Sequence, residues 1–101
     1  MTKSVKRAKI SEVSIYPINP TPKGVVSFIS FTYSNLFRIN DCAIVTLRQG
    51  GYRIVYPLKT LPNGKTVNVV YPLSTKIAKP IEDFLLLEYD KFTKEKTKNN
   101  S

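Results

Sequence analysis

Histidine is absent from this 101-residue chain, and cysteine occurs once, as Cys42. Without histidine the commonest general base is gone, together with Ser-His and Cys-His nucleophile systems and most zinc sites. One cysteine can form neither an intrachain disulfide nor a Cys-rich metal site, so a reducing compartment is the simple expectation. Cys42, between Asp41 and Ala43 in an extended stretch, reads as a small core side chain. Glycine is scarce as well. Gly24, Gly50, Gly51 and Gly64 all sit in turn-forming contexts, and no glycine-rich phosphate loop is present. Carboxylates are few, and Glu82, Asp83, Glu88 and Asp90 fall in one helical segment beside lysines. Paired carboxylates can hold a metal or cleave glycosidic bonds, but acids on a solvated helix face more often serve solubility. No apolar run approaches a transmembrane span, and residues 1–7 lack the core of a signal peptide. These absences predict a cytoplasmic protein that is not an enzyme, with no cofactor, metal, small-molecule substrate or membrane partner.

What the chain has in excess is positive charge, at a formal +9. The ends carry most of it. Residues 1–9 hold Lys3, Lys6, Arg7 and Lys9; residues 91–101 hold four lysines against Glu95; residues 10–90 net only +2. Both ends lack an apolar pattern. They read either as solvated tails or as flexible basic arms that neutralise nucleic-acid phosphates. The expected organisation is a basic N-terminal arm over 1–9, one folded domain over 10–93 and a basic C-terminal tail over 94–101.

The body reads as strands followed by one helix. Val13, Ile15 and Pro17 alternate with polar or amphipathic neighbours, a period of two that marks a strand from about Ile10. Residues 19–24 contain Pro20, Pro22 and Gly24 and end it. Residues 25–33 are the strongest strand signal, with Val25, Ile29, Phe31 and Tyr33 on one face. Ser34-Asn35 suits a tight hairpin turn. The next strand, over 36–48, is interrupted by Asn40-Asp41, where a bulge would reconcile its two halves. Gln49-Gly50-Gly51 turns the chain into a strand over 52–56, and a last strand is expected over 67–71. Near the C-terminus, Ile77, Ile81, Phe84, Leu85, Tyr89 and Phe92 share one helical face. Pro80 cannot donate to the Lys76 carbonyl, so regular helix is expected over about 79–94, with 74–78 a looser turn. Leu86 and Glu88 fall on the wrong sides of this wheel. They read as a partly exposed leucine and a peripheral acid, or as contacts to a second subunit. The fold class predicted is α+β: an antiparallel meander of four to five strands with one C-terminal helix.

The stretch 56–72, Tyr56-Pro57-Leu58-Lys59-Thr60-Leu61-Pro62-Asn63-Gly64-Lys65 and on to Tyr71-Pro72, organises the rest. Pro57 and Pro72 cannot donate to a ladder and punctuate it. Pro62-Asn63-Gly64 is turn chemistry, flanked by Lys59 and Lys65. A protruding basic loop between two strands follows. This block resembles the SpoVG (septation protein, stage V sporulation protein G) family, whose members carry Met-Pro-Ser-Lys-Arg-Thr-Pro-Asp-Gly, a short strand and His-Pro-Ile at the same spacing. Ile81-Glu82-Asp83-Phe84-Leu85-Leu86 falls on the family's Ile-Gln-Asp-Ala-Val-Leu, and Glu88-Tyr89 lies near its Glu-x-Tyr. Upstream, residues 36–41 resemble its Phe-Val-Val-His-Asp. The likeness runs from Ile10 to Phe92, with a small insertion at Gly50-Gly51. Thr60 and Ala78 depart from it: Thr60 stands where the family usually has arginine, and Ala78 falls near an arginine of its helix entry.

The resemblance implies a dimeric regulator linked to septation, cell division and sporulation, and to transcription regulation. The basic residues then read as a phosphate-binding set: Lys59 and Lys65 on the loop, Lys76 and Lys79 at the helix start, Arg38, Arg48 and Arg53 on strands, and Lys3, Lys6, Arg7 and Lys9 on the arm. Expected partners are a second copy of the chain and nucleic acid, DNA or RNA. The rival from another class is a dimeric protein–protein interaction module, working through Leu86, the apolar helix face or a sheet edge.

Overall fold

The computed structural model describes residues 9–100, with side chains as far as residue 95. Six strands precede one helix: β1 (Ile10–Pro17), β2 (Val25–Tyr33), β3 (Phe37–Thr46), β4 (Tyr52–Val55), β5 (Leu58–Thr60), β6 (Thr66–Asn68) and α1 (Thr75–Asn100). The first four strands form one antiparallel sheet in sequential order, and β5 pairs with β6 in a separate two-stranded ribbon. The α+β class is as the sequence predicted, but the last strand is not. It spans Thr66–Asn68 instead of 67–71 and stays out of the main sheet. Pro57 and Pro72 bracket this ribbon, and neither can extend a ladder.

Alternation sets the core. Ile29 and Phe31 on β2, Cys42 and Ile44 on β3, and Ile54 on β4 turn to one face, where Ile81, Leu85 and Tyr89 of α1 cover them. Those eight side chains are buried. Tyr89 also meets Tyr52 edge-on, with ring centroids 5.3 Å apart.

The predicted bulge is present. Ile29 pairs with Cys42 and Phe31 with Ile39, so Asn40 and Asp41 together face Ser30. Asp41 takes φ 64°, a left-handed conformation that Asp tolerates, and donates its N–H to Ser30 Oγ at 3.0 Å. A second bulge lies across β2. Ser11 pairs with Thr32 and Ser14 with Ser30, so Glu12 and Val13 face Phe31. Between β2 and β3, Ser34 and Asn35 both take positive φ and Leu36 donates to the Tyr33 carbonyl at 2.9 Å, a tight turn as expected.

The helix starts earlier than the sequence suggested, at Thr75, and runs through Pro80 to Asn100. Ser74 explains the start. Its Oγ accepts the Ile77 N–H at 3.3 Å and its carbonyl accepts that of Ala78 at 2.9 Å. Pro80 then forfeits one bond, to the Lys76 carbonyl, on an exposed turn where water can serve. The backbone of 94–100 is helical where a tail was expected; Glu95, Lys96 and Lys98 favour helix, while Thr97, Asn99 and Asn100 do not. Ile77, placed on the buried face by its spacing, is exposed, because the sheet does not reach the first turn.

Glu82 takes one N–H on the β4 edge of the main sheet. Its Oε2 accepts the Ile54 N–H at 2.9 Å, so the outer side of β4 is capped by a helix carboxylate. Edge strands otherwise invite pairing with another chain.

Candidate nucleic-acid interface

The β5–β6 ribbon projects from the domain with all six of its strand residues exposed. Its register is Leu58 to Asn68, Lys59 to Val67 and Thr60 to Thr66. The Pro62-Asn63-Gly64 turn closes it as predicted. Leu61 donates to the Lys65 carbonyl at 2.7 Å, Gly64 to that of Leu61 at 2.9 Å, and Lys65 N–H to Asn63 Oδ1 at 3.0 Å. Gly64 supplies a φ of 85° that a β-carbon would strain. At the other end Val69 donates to the Pro57 carbonyl at 2.9 Å. Alternation puts Lys59 and Lys65 on the same face of the ribbon as Val67.

Six residues further on, α1 begins with Lys76 and Lys79 and no acid in its first turn. Cations at a helix N-terminus oppose the macrodipole, so this end is doubly attractive to an anion. Lys79 is engaged with Asp83 at 3.5 Å, a solvent-exposed pair worth little. Lys76, Lys59, Lys65, Arg48 and Arg53 are exposed, and among the described residues none has an ion-pair partner within 4 Å. Arg53 alternates with the buried Ile54, so it turns to the sheet face opposite α1. Arg48 sits in the β3–β4 turn, where Leu47 donates to the Gly51 carbonyl at 3.0 Å.

Arg38 makes hydrogen bonds within the sheet. It donates from Nη1 to the Glu12 carbonyl and to Thr32 Oγ1 at 3.2 Å, and from Nη2 to Ser14 Oγ at 3.2 Å. Thr32 Oγ1 in turn donates to Glu12 Oε1 at 3.1 Å. The guanidinium pins the β1 bulge through these three bonds, while the residue itself stays exposed. Lys9 is exposed just before β1; Lys3, Lys6 and Arg7 lie outside the described residues.

Neither helix residue singled out for a partner stands free. Leu86 packs half-buried against the chain's own core. Glu88 pairs with Lys91 at 3.7 Å and lies beside Val13 and Ile15 of β1. The exposed leucine of this helix is Leu87, at 52 %.

Two features escaped the sequence reading. The first was visible in it: residues 42–81 contain no Asp or Glu while holding Arg48, Arg53, Lys59, Lys65, Lys76 and Lys79. Counting charge over the whole body, where the acids of 82–90 offset these cations, concealed it. The second is an open apolar groove of about 770 Å³ between the sheet, residues 69–73 and the helix start. It arises where three separated segments meet, so no local pattern announces it.

Two buried groups, Cys42 and Tyr56, are held in their neutral forms. Burial, and then the charge of Asp41, pushes the Cys42 thiol up from 9.0 to about 12. Tyr56 rises from 10.0 to about 12, by burial first and then by Cys42 and Glu82. Its hydroxyl is buried without a hydrogen-bond partner among the described residues. A thiol held in this state is a poor nucleophile. Both groups ionise more easily in the unfolded chain. Their contribution to stability is complete below the ordinary thiol value of 9.0 and is lost as pH rises toward about 12. Denaturation midpoints are therefore expected to fall progressively as pH rises from 9.0 toward about 12; a flat profile contradicts this. No group of three or more His, Cys, Asp or Glu side chains that could hold a metal occurs among the described residues. Nor is any described helix long and apolar enough to cross a membrane.

The SpoVG family model matches residues 8–91. Relatives carrying the name "Putative septation protein SpoVG" include one from Clostridium acetobutylicum, 28 % identical over 87 residues, covering 86 % of this chain and 90 % of the relative. One from Clostridium kluyveri is 27 % identical over 89 residues, covering 88 % and 91 %. One from a Thermoanaerobacter species is 24 % identical over 83 residues, covering 82 % and 88 %.

Proposed function

The chain belongs to the SpoVG family, and from that premise we propose that it is a non-enzymatic nucleic-acid-binding regulator, acting in the cytoplasm as a homodimer on DNA or RNA. The septation named in its relatives is the process we assign it to. One observation carries the reading. Forty consecutive residues are free of acid, and their cations stand on an exposed ribbon, a strand edge and a helix start with no carboxylate near enough to neutralise most of them. Such cations gain most from a polyanion, because each phosphate neutralised releases counterions. A two-fold dimer doubles the set. Lys59, Lys65, Lys76, Arg48 and Arg53 act as phosphate contacts. Lys79 joins them by leaving Asp83, at little cost. Lys3, Lys6, Arg7 and Lys9 add affinity without sequence choice.

The rival reading, a dimeric protein-interaction module, draws on the apolar groove. Salt separates the two. Binding of a fluorescent duplex, and of its single strands, is expected to weaken steeply as salt is raised from about 50 to 200 mM. No binding at low salt, or equal binding at both, favours the interaction module.

A further inference from the structure

We propose that the sheet face opposite α1 is a stacking platform for the unpaired bases of a single nucleic-acid strand; this rests on the nucleic-acid reading and names a surface and a strandedness for it. α1 packs over β1 and β4 on one side of the main sheet, the β5–β6 ribbon packs on itself, and among the described residues no other element covers the second side. Register fixes what stands there. Ile44 and Ile54 pair and point into the core, so Ala43, Arg53 and Val55 point outward. Phe28 pairs with Ala43, and Tyr16 with Phe28, which carries the same outward row across to β1. Tyr16 is 52 % exposed and Phe28 half-buried. Directly paired residues hold their β-carbons roughly 4.5–5.5 Å apart, so the two rings stand side by side. The one aromatic pair among the described residues is Tyr52 with Tyr89, so neither ring is taken by another.

Charge is arranged to match. Arg53 stands on β4, two strand spacings or about 10 Å across the sheet from the Phe28 strand. The β1–β2 loop adjoins the end of β3, where Thr46 donates its N–H to the Gly24 carbonyl at 2.9 Å. That brings Lys23 and Arg48, both exposed, to the same end of the sheet. Among the described residues none of these three cations has a carboxylate within 4 Å. The two acids of the sheet, Glu12 and Asp41, lie toward its other end, where they face Phe31 and Ser30. Aromatic rings beside a cationic edge suit a single strand, whose bases stack while its phosphates are neutralised. A duplex keeps its base planes inside and offers only edges and backbone, so the rings have nothing to stack on there. A protein partner fits this face less well. Of its large apolar side chains only Tyr16 and Val55 are exposed, far short of the roughly 800 Å² that each side gives to a standard interface.

The test compares a labelled oligothymidylate of about 15 nucleotides with a duplex of the same length, by fluorescence anisotropy on the full chain. Tyr16→Ala is expected to weaken binding of the single strand roughly 5–100-fold and to leave duplex affinity unchanged. Tyr16→Trp keeps a stacking ring and is expected to retain strand binding. The chain has no tryptophan of its own, so the fluorescence of Tyr16→Trp reports this site alone. The single strand is expected to quench it and the duplex to leave it unaltered, a readout that holds even where Tyr16→Ala folds poorly. Unchanged strand binding by Tyr16→Ala, or an unquenched Tyr16→Trp with the strand bound, overturns the platform and leaves the nucleic-acid reading intact. Equal losses on strand and duplex in a folded Tyr16→Ala overturn it too, because a duplex has no free base to stack. A parent chain that binds neither probe at low salt overturns both readings.

Discussion

Replacing both ribbon lysines, Lys59→Ala together with Lys65→Ala, weakens duplex binding by roughly 10²–10³-fold at ~0.15 M salt. In a dimer the change removes four cations. Each phosphate contact contributes about 0.9 to the slope of log affinity against log salt, so the slope falls by about 3.6. The two lysines share one face of an exposed ribbon and have no carboxylate partner among the described residues. Their loss costs the fold almost nothing, because surface substitutions of this kind stay within about 0.5 kcal/mol. Fluorescence anisotropy with a labelled duplex measures the affinity, and a thermal melt checks the fold. An unchanged slope means that the ribbon is not the contact and shifts the affinity to the N-terminal arm or the helix start.

Phe31→Ala costs about 3–5 kcal/mol of folding stability. Phe31 is fully buried on an inner strand of the main sheet, in the cluster that includes Leu85 and Ile44. How far the site can collapse decides where in that range the value falls. Here collapse is limited. The β1 residues facing Phe31 are held in a bulge by Arg38, and the β3 bulge beside it is held by Ser30. The upper half of the range is therefore expected. Single domains have only about 5–15 kcal/mol in total, so this variant sits near its unfolding threshold. Leu87→Ala, by contrast, removes a half-exposed side chain and improves helix propensity, and loses well under 1 kcal/mol. Urea midpoints for the two variants check the contrast, and equal shifts contradict the placement of the core.

The parts of this fold that were legible are those fixed by nearest-neighbour physics. β2 falls on the residues that its β-branched and aromatic alternation marks, Val25–Tyr33. The Asn40-Asp41 interruption does produce a bulge, because two polar residues cannot both keep the apolar phase. Pro62-Asn63-Gly64 does close a basic hairpin. Most of the misses depend on partners distant in sequence; the helix start is the local exception. Local propensity makes 67–71 extended, but nothing in those residues says whether a main-sheet strand lies within reach, and Pro57 and Pro72 keep them outside it. Pro80 suggested a late helix start, and a single serine cap outweighed it. Arg38 makes three hydrogen bonds, to β1 and to Thr32, that its own sequence context does not announce. Leu86, read from the helical wheel as partly exposed or as a subunit contact, is half-buried against the core. The acid-free tract needed no structure at all, only a count of charge by position.

Lysine footprinting tests the central claim most directly. The full-length chain would be acetylated with and without saturating duplex at low salt, and each lysine's reactivity read by mass spectrometry. Strong protection of Lys59, Lys65 and Lys76, with Lys91 and Lys94 left reactive, is the predicted outcome; those last two already pair with Glu88 and Asp90 on α1. Protection confined to Lys91 and Lys94, with the ribbon lysines as reactive as in the free protein, would contradict it.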